Sequence, residues 1–80
     1  MRRRDILAEV QLGPGQHRMP GWYEPRFFCL ASVFDRDRQV RSLSIFWRNP
    51  DGWEENVRGN FDPNDLQELM AQARAAGWPI

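Results

Sequence analysis

The 80-residue sequence predicts an α+β domain: a four-stranded antiparallel sheet (β-β-β-β-α) with one C-terminal helix packed on one face. Three observations predict it. Residues 5–12 alternate apolar and polar. Two apolar, strand-forming runs, 26–34 and 40–48, flank a short polar segment. Residues 62–76 carry apolar side chains at helical spacing between clear start and stop signals.

In 5–12, Ile6, Ala8, Val10 and Leu12 fall on one side and Glu9 and Gln11 on the other, the period of a half-buried strand. Gly13-Pro14-Gly15 ends it, and 16–25, with Pro20, Gly21 and Pro25, is expected to be an irregular loop. The runs 26–34 (RFFCLASVF) and 40–48 (VRSLSIFWR) predict a hairpin around Asp35-Arg36-Asp37-Arg38. Asn49-Pro50-Asp51-Gly52 is a turn: proline presets one central angle and glycine accepts positive φ. A third meander strand is expected at 53–58. The helix opens with Asp62 as N-cap, Pro63 in its first position and Asp65 in its first turn. Leu66, Leu69, Met70 and Ala73 form its buried stripe, and Gly77 followed by Trp78 and Pro79 stops it.

Pairing Val33 opposite Val40 puts Phe28, Leu30, Leu43, Ile45 and Trp47 on one face of the hairpin. Phe27, Cys29, Ala31, Val33, Val40, Ser42, Ser44 and Phe46 take the other. One helix shields one face, so the second is expected to be covered either by a partner, most simply a second copy in a two-fold dimer, or by the N-terminal strand and the 16–25 loop.

Composition narrows the function classes. A single cysteine forms no disulfide within one chain, and four Trp, five Phe and one Tyr supply the core instead. With no secretory signal and no apolar membrane span, a cytoplasmic protein is expected. Eleven basic residues, all arginine, balance eleven acidic ones, which argues against a strong non-specific nucleic-acid binder. No catalytic or metal-ligating set can be assembled and no cofactor is implied. His17 is the sole histidine and reads as a surface loop residue. Cys29 sits among apolar neighbours, and Glu54 and Glu55 point to opposite sides of a strand. The chain is expected not to be an enzyme.

Binding is the remaining class. Arg41, Arg48 and Arg58 lie among Phe46, Trp47 and Trp53, the combination that holds single-stranded nucleic acid by base stacking and phosphate contact. Arg18, Trp22 and Tyr23 could add loop contacts. The order Trp47, Pro50-Asp51-Gly52, Arg58-Gly59, Pro63 and Leu69 resembles the end of the positive-cofactor-four type of transcriptional coactivator domain, over about 40–70. That resemblance implies a curved four-stranded sheet with one helix, dimerisation and single-stranded DNA binding, with Trp47 where the family has a DNA-contacting tryptophan and Arg58 where it has a basic residue before glycine. Ser44 departs from it, standing where the family has arginine. So does Asp35, near an expected aromatic, and the segment between the two glycines is one residue shorter. The competing expectation is a protein-binding accessory or inhibitor, of the kind mobile elements carry. It would dock a partner through an apolar sheet face or an open edge.

Overall fold

The computed structural model describes residues 4–19 and 25–80. Strands β1 (Arg4–Leu12), β2 (Phe27–Asp35), β3 (Val40–Arg48) and β4 (Glu54–Asn56) form one antiparallel sheet in the order β1-β2-β3-β4, and helix α1 (Pro63–Ala75) follows. The predicted α+β architecture is the one observed.

The hairpin register differs by two residues from the expected one: Asp35 pairs with Val40, and Val33 with Ser42. Asp35 is responsible. Its Oδ1 accepts the N–H groups of Asp37 and Arg38 at 2.9 and 3.1 Å, and its carbonyl accepts that of Gln39 at 2.8 Å. The turn thereby shortens and Asp35 stays in the strand. A two-residue shift leaves every side chain on its predicted face.

Two details depart further from expectation. A bulge between Ile6 and Ala8 moves Ile6 opposite Val33, off the face that carries Ala8, Val10 and Leu12. And β4 spans three residues rather than 53–58: Trp53 belongs to the turn, its N–H bonded to Asp51 Oδ1 at 2.9 Å, and the pairing with β3 ends at Asn56.

The helix follows its signals. Asp62 Oδ1 accepts the Asn64 N–H at 2.8 Å, and Pro63 starts the first turn. Gly77 adopts φ +88, its N–H reaches the Arg74 carbonyl at 3.0 Å, and the Trp78 N–H reaches that of Ala73 at 3.0 Å. This is a Schellman ending, and it turns Trp78 back onto the core. The helix lies over β1 and β2. There Leu69 and Ala73 join Leu12, Phe28, Leu30 and Trp47 in the main core, with Phe61, Leu66 and Met70 around them.

Candidate functional site

The candidate residues divide by face and by depth. Trp47 lies on the helix side, only 5 % exposed. It packs against Phe28 with ring centres 5.0 Å apart, and the edge of His17 meets it at 5.2 Å. The Arg26 guanidinium sits 4.4 Å from its ring centre. Since α1 does not reach over β3, the 13–19 segment and Arg26 complete the cover. Trp47 is a core residue in this chain.

His17 itself is half-buried, not a free surface residue. Its Nε2 donates to the Arg26 carbonyl at 2.9 Å, while its buried Nδ1 has no partner among the described residues. One residue on, the Arg18 N–H donates to both oxygens of Asp65, at 2.9 and 3.1 Å. Asp65 is buried, so this carboxylate does more than favour the helix start: it pins the loop stem to α1. Nothing in the sequence links positions 18 and 65, and the tie exists only after packing.

On the second face Phe46 is also 5 % exposed, beside the fully buried Cys29 and Ala31 and the buried Val33. No chain segment is needed to explain their shielding, because long polar side chains cross β2 above them. Glu9 on β1 meets Arg48 on β3 through paired contacts, Nη2–Oε1 at 2.5 Å and Nε–Oε2 at 3.1 Å. By register this contact passes over Cys29. Gln11 adds a bond to Glu9. Arg4 Nη1 reaches Ser44 Oγ at 3.4 Å, across β2 at the level of Val33.

Arg48 is further held by the Gly52 carbonyl at 2.9 Å and Glu54 at 3.7 Å, and its guanidinium lies 5.2 Å from the Phe46 ring centre. Burial pushes the Glu9 carboxyl up, but the Arg48 and Gln11 hydrogen bonds and the Arg48 charge outweigh it and hold the group below its ordinary range. Burial, and then the Glu9 charge, push the Cys29 thiol up to about 12. That leaves no thiolate near neutrality.

The remaining candidates are on the outside. Trp53 is 74 % exposed, and Arg18, Arg41 and Arg58 are exposed. Trp22 and Tyr23 lie outside the described residues. The structure therefore does not bring the six sheet candidates together: Phe46, Trp47 and Arg48 serve the fold, while Arg41, Trp53 and Arg58 face solvent.

At the hairpin end of the sheet apolar side chains are exposed on both faces, Ile6 and Val40 by register on the Cys29 face and Leu43 on the helix face. Ile6, Leu7, Val40 and Leu43 are 37–48 % exposed there. Arg36 reaches Asp5 beside them at 3.5 Å. Among the described residues, no group of three or more His, Cys, Asp or Glu could hold a metal ion. No described helix is long and apolar enough to cross a membrane. No family model, curated protein sequence or solved structure matches the chain.

Proposed function

We propose that the chain is a non-enzymatic protein-binding module that engages its partner at the hairpin end of the sheet. The observation that carries this reading is the exposure of Ile6, Leu7, Val40 and Leu43 at that end, on both faces of the sheet, while the cores farther along each face are shielded within one chain. Exposed apolar side chains at one end of a small domain, where a strand edge is also open, suit a partner that wraps that end and touches both faces. A partner-blocking accessory or inhibitor, working in the cytoplasm where a free Cys29 stays reduced, fits this design.

The nucleic-acid reading keeps Arg41, Trp53 and Arg58 but loses the ring surfaces of Phe46 and Trp47. It also loses the charge of Arg48, which is spent on Glu9 and Glu54. The test compares the two. Proteins retained by the immobilised chain are expected to survive a rise in salt and to be lost with Leu43→Lys, while a labelled single-stranded oligonucleotide shows no anisotropy change. Oligonucleotide binding that weakens steeply with salt and is untouched by Leu43→Lys would return the assignment to nucleic acid.

A further inference from the structure

The Asn49 N–H donates to the Trp53 carbonyl at 2.9 Å, so Asn49 turns its backbone groups toward the β4 side. Successive residues of a strand alternate in this respect, which places the N–H and C=O of Ile45, Leu43 and Arg41 on the same outer side. The ladder with β4 ends where Asn56 pairs with Phe46. Beyond it, residues 40–45 of β3 have no neighbouring strand on this outer side among the described residues.

Open edges are ordinarily protected by bulges, charges or proline. The other long edge, β1, has all but the last: a bulge at Leu7, and Arg4, Asp5 and Glu9 along it. The β3 edge, VRSLSI, has an unbroken register with β2 and one charge, Arg41.

Building on the protein-binding reading, we infer that the occupant of this edge is a second copy of the same chain, added antiparallel along 40–44 with Ser42 on the two-fold axis. This register follows from four constraints. A two-fold normal to the sheet keeps helix faces on one side and must pass through a residue. The outward-facing Arg41 and Leu43 of each copy then exchange backbone hydrogen bonds with Leu43 and Arg41 of the other. Arginine stands opposite leucine rather than arginine, so no like charges face each other. Ile45 remains as a spacer between the incoming strand, whose Val40 lies beside Ser44, and Asn56. Moving the axis to Leu43 would bring Val40 of the second copy onto the place that Asn56 holds beside Phe46. On the axis, Ser42 meets Ser42 as a non-hydrogen-bonded pair, its own N–H being turned to β2. The result is a continuous eight-stranded sheet with both helices on one face. A contact this small is reversible and concentration-dependent.

The geometry of the axis gives the test. In a non-hydrogen-bonded antiparallel pair the Cα atoms are about 4.5 Å apart, within disulfide range. Ser42→Cys is therefore expected to cross-link into a covalent dimer under mild oxidation. Leu43→Cys, offset from its own copy by two positions and so beyond about 7 Å, should do so at least tenfold more slowly. Wild type, with only the buried Cys29, should stay single. Amide exchange at Arg41 and Leu43 should slow as concentration rises. Leu43→Pro, which removes only an outward N–H, should hold the chain at single mass with an unchanged far-ultraviolet spectrum.

Equal cross-linking of the two variants, or none with single-chain mass at the highest concentration, overturns the second-copy inference. If Leu43→Lys still abolishes protein capture in that case, the protein-binding reading survives without it. If capture is also insensitive, both fall.

Discussion

At the scale of single residues, the pair that governs the second face is Glu9 with Arg48. Both side chains are largely shielded, so removing one partner strands the other over Cys29. Arg48→Met is expected to cost about 1–3 kcal/mol, read from urea unfolding at neutral pH. The sign with pH is fixed. The Glu9 carboxyl is held below its ordinary range, so its contribution is complete above the unfolded-state value of about 4.3 and is lost as pH falls through the lower folded-state value. The difference in stability between wild type and Glu9→Gln should therefore shrink as the pH falls below about 4. Cys29 gives an independent check: with its thiol near 12, reaction with a disulfide reagent at mildly alkaline pH should be on the order of a hundredfold slower than in urea. Trp47 gives another. Buried against Phe28, His17 and Arg26, its replacement by alanine should lower stability by about 3–5 kcal/mol. A folded, stable Trp47→Ala would contradict its place in the core.

At the scale of elements, the hairpin and the helix were legible because their signals are local. Period-two alternation assigned the sheet faces, and Asp62, Pro63 and Gly77 marked the helix ends, where Asp62→Ala should cost about 1 kcal/mol. The parts that differ turn on hydrogen bonds and packing that hydropathy does not register, local at Asp35 and Trp53 and between elements at Leu7 and Asp65. The bulge at Leu7 and the withdrawal of Trp53 into a turn leave no trace in hydropathy, since Ile6 and Trp53 fit their expected strands equally well. Asp65 shows the same limit. In sequence it is a helix-start acid; in the fold it receives the Arg18 N–H from a distant loop. Asp65→Ala should cost about 1–3 kcal/mol and speed tryptic cleavage after Arg18, where Asp62→Ala should not.

At the scale of the whole molecule, the candidate site was legible as residue types but not as an assembly. Arginines and aromatics alternate along 40–58, yet their availability depends on what lies over them. His17 and Arg26 cover Trp47 on one face, and Glu9 engages Arg48 on the other. The surplus apolar surface expected of a one-helix sheet is correspondingly smaller than composition implies, and what remains exposed lies at the hairpin end, at Trp53 and at Ile80. A domain of this size buries only about 60–65 % of its unfolded surface, so losses of a few kcal/mol at Trp47 or Asp65 weigh heavily on the total.

A β-layer whose back is insulated by guanidinium and carboxylate rather than by hydrocarbon stays wettable while its centre stays dry. Neutralising those arginines would bare the strip from Cys29 to Val33. The first symptom would then be clumping in the test tube, well before the helix gave way.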